Sequence, residues 1–177
     1  MKLVVLIGGA RAGKSALAVR LASDWGGDVA YVATAEPGDD EMADRIARHR
    51  AERPERWATI EEPLELRRAV AKLDGLVIVD CLTLWVANLI ARGDDEDAVV
   101  VEAVAVADAA AGRHAPTIVV TNEVGLGIVP PTESGREFRD VLGAVNRAFV
   151  DRSSHAAFVV AGRPLPLETD AWPGVHG

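Results

Sequence analysis

At 177 residues the chain has the size of one ordinary domain, long enough to bury a sheet with helices on both faces, and a second independent domain is not expected. Hydrophobic residues make up 49% and charged residues 26%, the balance of a chain that packs a core rather than one that stays disordered. The formal net charge is -8, with no run of about five or more Lys or Arg, so the long-range field disfavours a nucleic-acid backbone or an anionic membrane, while small anionic ligands held by local N–H groups stay open.

The opening apolar stretch, Leu3 to Ile7, is too short for an export signal and ends in a glycine loop followed by Arg11 and Lys14. Nowhere do about eighteen apolar residues run uninterrupted, so no membrane span is expected and the reading is a cytoplasmic protein. The single cysteine, Cys81, follows an apolar run and reads as a buried, inert thiol; it builds no disulfide framework or structural zinc site.

Taken in chain order, short β-branched runs alternate with helical segments, which argues for an α/β class with a mostly parallel sheet and right-handed crossovers. Leu3 to Ile7 is the first strand, Gly8 to Gly13 a loop, and Lys14 to about Trp25 a helix. Asp28 to Thr34 is the second strand; Pro37, Gly38 and Asp39 form a turn and N-cap, and a helix runs from about Asp40 to Arg53, stopped by Pro54. Trp57 to Ile60 is a short strand and Pro63 to Leu73 a helix. Gly75 to Asp80, nearly all apolar and ending in a carboxylate, reads as a central parallel strand. Leu82 to Ala91 is a helix, with Gly93 and the acidic Asp94 to Asp97 a surface loop after it. Ala98 to Ala111 reads as helix, although its weak periodicity separates helix from strand poorly. Pro116 to Thr121 is a strand, Glu123 to Pro131 a loop, Thr132 to about Asp151 a long helix, and Ala156 to Ala161 the last strand.

The segment GGARAGKS, Gly8 to Ser15, matches glycine, four residues, then Gly-Lys-Ser, and it lies between an expected strand and an expected helix. Its residues Gly8, Gly9, Ala10, Arg11, Ala12, Gly13, Lys14 and Ser15 would cradle phosphate, because successive backbone N–H groups point inward at a helix N-terminus. Lys14 would reach the β and γ phosphates. Ser15 would hold Mg²⁺, and an aspartate ending a neighbouring strand would support that ion. Asp80 is placed for this; the alternative is a strand-ending, helix-capping Asp.

A second constellation lies in DDEMADRIARHRAERPERW. At helical spacing Met42, Ile46, His49 and Arg53 share one stripe, so His49 faces the body of the protein. Arg48, Arg50 and Arg53 surround it and disfavour the imidazolium, leaving a neutral ring suited to attack phosphorus while the arginines neutralise phosphate charge. A histidine packed on the core is the competing reading from this segment alone. Likewise TNEVGLGIVP, Thr121 to Pro130, is either a structural turn or a substrate-facing loop at the carboxyl edge of the sheet.

Together GGARAGKS, YVATAEPGDDEMADRIARHRAERPERW, VDCLTLWVANL, TNEVGLGIVP, FRDVLGAVNRAF and AGRPLPL, in order along nearly the whole chain, resemble the bifunctional adenosylcobinamide kinase / adenosylcobinamide-phosphate guanylyltransferase family of cobalamin biosynthesis. The resemblance implies a RecA-like P-loop fold, a homotrimer, and two reactions. The γ-phosphoryl of ATP or GTP moves to the aminopropanol hydroxyl of adenosylcobinamide. GTP then gives its guanylyl group to adenosylcobinamide phosphate through a guanylyl-histidine, yielding adenosylcobinamide-GDP and pyrophosphate. The family's nucleotide-carrying histidine matches His49, and further nucleotide contacts match Ala33, Thr34, Ala35, Arg50, Ala51, Glu52, Arg53, Glu61 and Asp80. The chain departs from the family at Ala12, where serine is common, and at Asp80, where glutamate is common. Asp80 is one methylene shorter, leaving metal and ribose contact both open, and Asp80 and Glu123 are both conceivable bases for the kinase step. A plain P-loop kinase with a structural His49, and a nucleotide-gated regulator without turnover, are the competing functions.

Overall fold

The computed structural model describes residues 2–36, 38, 50 and 53–167. Seven strands form one sheet in the order β3-β2-β4-β5-β1-β6-β7. The strands are β1 (Leu3–Gly8), β2 (Val29–Ala33), β3 (Ala58–Glu61), β4 (Leu76–Asp80), β5 (Thr117–Asn122), β6 (His155–Val160) and β7 (Arg163–Pro166). All neighbours pair in parallel except β6 and β7, which pair antiparallel. The described helices are α1 (Lys14–Ser23), α2 (Leu66–Lys72), α3 (Leu82–Arg92), α4 (Glu96–Gly112) and α5 (Glu133–Val150).

Because side chains alternate along a strand, each apolar run feeds two cores at once. Leu3, Val5, Ile7, Val77, Val79 and Val119 point to one face, where Trp85, Val99, Val106, Leu142 and Phe149 of α3, α4 and α5 cover them. Val4, Leu6, Tyr31, Ile78, Ile118 and Val120 point to the other, where Leu17, Ala18 and Ala22 of α1 and the indole of Trp57 pack. This two-sided burial is why the runs read as continuous rather than alternating.

The α/β class and the parallel sheet are as the sequence implies, but several boundaries move. The acidic stretch placed in a surface loop instead opens α4: Asp95 is its N-cap, its carboxylate accepts the N–H of Ala98 at 2.8 Å, and Glu96 and Asp97 occupy the first turn. Acidic side chains there oppose the positive end of the helix, so they favour helix rather than loop. The final strand β7 was not expected. Arg163–Pro166 carries two prolines, which read as loop, yet proline is tolerated on an edge strand, and β7 is the edge. Of the helix expected from about Asp40 to Arg53, only Arg50, in helical conformation, and Arg53 belong to the described residues.

Candidate functional site

The glycine loop is shaped by its neighbours as much as by its own sequence. At Gly8, where β1 ends, a Cβ would lie 2.4 Å from the carbonyl oxygen of Val159 in β6, so only glycine passes. Arg11 (φ 58°) and Gly13 (φ 93°) turn the chain through left-handed conformations, and the Ala12 N–H donates to Gly9 O at 3.2 Å. The β6–β7 turn then buttresses the loop. Gly162 N–H donates to Ala12 O at 2.8 Å, and a Cβ on Gly13 would meet Gly162 Cα at 3.0 Å.

Lys14 opens α1 and is 6% exposed; its Nζ donates to Gly8 O at 3.0 Å and Gly9 O at 2.7 Å, which keeps the ammonium inside the loop's curve. No side chain caps the start of α1 and no acidic residue lies in its first turn, so the partial positive charge there is available to an anion.

Asp80 ends β4, but β4 is not beside β1 as expected: β5 lies between them. Asp80 instead belongs to a stack on the α1 face. The hydroxyl of Tyr31, a residue 1% exposed, donates a short hydrogen bond to Asp80 Oδ2, and the Arg53 guanidinium lies over the Tyr31 ring, 3.3 Å from its centroid. Burial, and then the Asp80 charge, push the Tyr31 phenol far above its ordinary range, so it stays a donor at every working pH. The stack therefore joins Arg53, expected to touch nucleotide, to the end of the central strand.

Thr34 is fully buried and welds β2 to the turn after β4. Its N–H donates to Asp80 O at 3.2 Å, its hydroxyl accepts the Cys81 N–H at 2.8 Å and donates to Cys81 O at 2.7 Å, and its carbonyl accepts from Asn88 Nδ2 at 2.9 Å. The peptide between Asp80 and Cys81 is cis. With the Thr34 hydroxyl committed to Cys81, this edge offers a ligand the partly buried Ala35 and the exposed Glu61, which ends β3 opposite Ala33. Among the described residues no three His, Cys, Asp or Glu side chains are grouped to hold a metal. The hydroxyl of Ser15 and the carboxylate of Asp80 are hard oxygen donors, the kind that Mg²⁺ takes one or two of while it completes its shell from phosphate and water.

A second wall rises at the carboxyl end of β5. Asn122 is in register with Gly8, its N–H donates to Thr83 Oγ1 at 2.8 Å, and its carbonyl accepts from Asn146 Nδ2 at 3.0 Å. Asn146, 6% exposed, also accepts the Thr121 hydroxyl at 2.6 Å. The next residue, Glu123, donates its N–H to Gly8 O at 3.1 Å. From there the chain enters a loop that, with α5, borders an open cleft of about 310 Å³ lined by Glu123, Val124, Gly125, Arg139, Asp140 and Asn146, together with Gly143. Beyond it Leu126, Ile128 and Val129 are exposed, Ile128 at 97%.

Thus Gly8 to Ser15 form one loop and helix start after β1, and Ala33 to Ala35, Glu61 and Asp80 lie at the carboxyl edge of β2, β3 and β4, with Arg53 over Tyr31, the two groups separated by β5. Arg50 is exposed. His49, Ala51 and Glu52 lie outside the described residues. Sequence reading missed Tyr31 and Gly162. The chain has a single tyrosine, two positions before Ala33 on the same side of a strand, and that placement was the available signal.

The sequence pattern of the family described as "Cobinamide kinase / cobinamide phosphate guanyltransferase" matches residues 4–167. The bifunctional adenosylcobalamin biosynthesis protein CobP of Pseudomonas aeruginosa is 44% identical over 167 residues, covering 93% of this chain and 96% of its own. Its counterpart CobU of Escherichia coli is 37% identical over 175 residues, covering 90% and 96%. Among solved structures, an ATPase from the type III secretion system of pathogenic bacteria superposes with a TM-score of 0.55 at 11% identity, covering 89% of this chain and 50% of its own. That likeness speaks for the fold alone. The fold is the RecA-like P-loop fold, with one strand inserted between the P-loop strand and the strand ending in the acid.

Proposed function

The chain belongs to the cobinamide kinase / cobinamide phosphate guanyltransferase family, and on that premise we propose that a single-domain, cytoplasmic enzyme of cobalamin biosynthesis runs both reactions at one nucleotide site. In the first, ATP or GTP gives its γ-phosphoryl to adenosylcobinamide. In the second, GTP gives its guanylyl group to adenosylcobinamide phosphate by way of His49, with loss of pyrophosphate. The working form is a homotrimer.

The observation that carries this reading is the continuity between two anion-seeking features. The P-loop holds the Lys14 ammonium and the open start of α1, and on the same side of the sheet Arg53 stacks on Tyr31, which bonds Asp80. A triphosphate lying in the first meets a guanidinium four residues after His49 at the second. The loop amides and Lys14 would bind the β and γ phosphates and offset charge on the transferring group. Ser15 and Asp80 would hold Mg²⁺, which neutralises phosphate charge when bound. The neutral imidazole would attack the α-phosphorus, forming an N–P bond as the bond to the pyrophosphate oxygen breaks, and Arg50 and Arg53 would offset the departing charge.

Incubation with GTP labelled at the α-phosphate should leave label on the protein, acid-labile and alkali-stable as an N–P bond requires. His49→Ala should remove that label while leaving γ-phosphoryl transfer within about threefold. Label that persists in the variant places the nucleophile elsewhere, and phosphorylation with no label in the parent protein reduces the reading to a kinase.

A further inference from the structure

Two carboxylates, Asp80 and Glu123, are candidates to take the proton from the acceptor hydroxyl, and the sheet separates them. Neighbouring strands lie about 4.8 Å apart, so β4, two strands away, is about 10 Å from β1, whereas β5 is adjacent. Asp80 is in register with Val120, two residues before Asn122. Glu123 follows directly on the residue opposite Gly8, and its own N–H is bonded to Gly8 O.

The Glu123 position is also fixed from several sides. Thr83 from α3 and Asn146 from α5 hold both backbone groups of Asn122, and the Gly125 N–H donates to Glu123 Oε1. A Cβ on Gly125 would fall 2.8 Å from that same oxygen, so glycine at 125 leaves room for the carboxylate where it stands. Glu123 borders the cleft between the loop and α5, whose helix side carries the ion pair of Arg139 and Asp140 at 2.8 Å. A volume of about 310 Å³ is at the small end of ligand pockets: it holds a short alcohol-bearing arm, and the cleft's open side leaves room for a larger group outside it.

We propose that this cleft receives the hydroxyl-bearing arm of the phosphoryl acceptor and that Glu123 is the general base of the kinase step. The inference rests on the kinase reading above and adds to it the acceptor's place and the proton's destination. The acceptor's O–H proton passes to the Glu123 carboxylate as the oxygen bonds to the γ-phosphorus. The bond from that phosphorus to the β–γ bridging oxygen breaks, and its electron pair leaves with the nucleoside diphosphate. The bulk of the corrinoid stays outside, at the lip formed by Leu126, Ile128 and Val129.

The test compares Glu123→Gln and Gly125→Ala with the parent protein in three measurements: phosphoryl transfer to adenosylcobinamide, nucleotide affinity, and protein labelling by α-labelled GTP. Glu123→Gln should lower phosphoryl transfer by about 10²–10⁴-fold, with affinity and labelling within about twofold of the parent. Gly125→Ala, whose clash is with the movable end of a side chain, should fold normally and lower kcat for the same step by about tenfold or more without changing the nucleotide KM. Phosphoryl transfer that survives Glu123→Gln overturns the base assignment. Equal loss of transfer, affinity and labelling also overturns it, since Glu123 would then belong to the nucleotide site. A parent protein that phosphorylates no corrinoid, yet binds nucleotide, removes the kinase reading itself.

Discussion

Cys81 sits between two groups that set its chemistry. It is partly buried on the α1 face, next to Asp80, and burial, then the neighbouring carboxylate, push its thiol up to about 11, against an opposing pull from the Leu84 N–H and from the hydroxyl and N–H of Thr83. A raised value means that the folded state holds the proton more tightly. The associated stability is complete below the free thiol's range near ~8.5 and is lost as pH climbs from there through about 11. Alkylation by iodoacetamide at pH 8 should accordingly run at less than about one hundredth the rate of glutathione and accelerate toward pH 11; a rate matching glutathione at pH 8 contradicts this. At this scale the sequence was informative wherever chemistry follows local order. The run of Gly8, Gly13, Lys14 and Ser15 announces a phosphate cradle because its spacing is its geometry. The partners of Tyr31 and Asn146 are not legible there, since Asp80 and Thr121 are 49 and 25 positions away and meet them only once the sheet forms. The same holds for Asp80: a strand-ending acid is visible, but that β5 would come between it and β1 is decided by strand order.

Elements explain why the loop keeps its shape. Glycine is required at position 8 not by its dihedral angles but by the approach of β6, whose Val159 carbonyl fills the place of a side chain. Gly8→Ala must force β1 and β6 apart, a clash with rigid backbone, and should cost about 1–3 kcal/mol in a denaturant titration together with a measurable loss of nucleotide affinity. Unchanged stability would mean that β6 yields and does not hold the loop in place. The β6–β7 hairpin was half legible. The β6 run is apolar and was found; β7, with prolines at 164 and 166, reads as loop because central strands reject proline, and nothing local reveals that it is an edge. The acidic stretch before α4 misled for a related reason. Asp and Glu in a row look like solvated loop, and only the bond from Ala98 N–H to Asp95 marks them as a helix start.

Across the whole molecule the two ends of the sheet divide the labour. The carboxyl ends of β1, β4 and β5 present Gly8, Asp80 and Glu123, the open side where ligands of such sheets bind. The amino ends are closed by Arg113, 9% exposed, whose guanidinium donates to Pro116 O at 3.2 Å, Thr117 Oγ1 at 2.9 Å, and Leu73 O and Gly75 O at 2.6 Å each. Arg113→Ala leaves those acceptors without their donor and should destabilise the fold by about 3 kcal/mol or more, while kcat of the protein that remains folded stays within about twofold. A large fall in kcat at full stability would deny the division between the ends.

In the proposed function one P-loop site serves both a phosphoryl and a guanylyl transfer to a corrinoid. The most direct measurement is to supply adenosylcobinamide and GTP to the protein and follow the corrinoid products by mass over time. Adenosylcobinamide phosphate should appear first and then be consumed as adenosylcobinamide-GDP and pyrophosphate accumulate. Tight nucleotide binding with the corrinoid unchanged in mass would contradict that function.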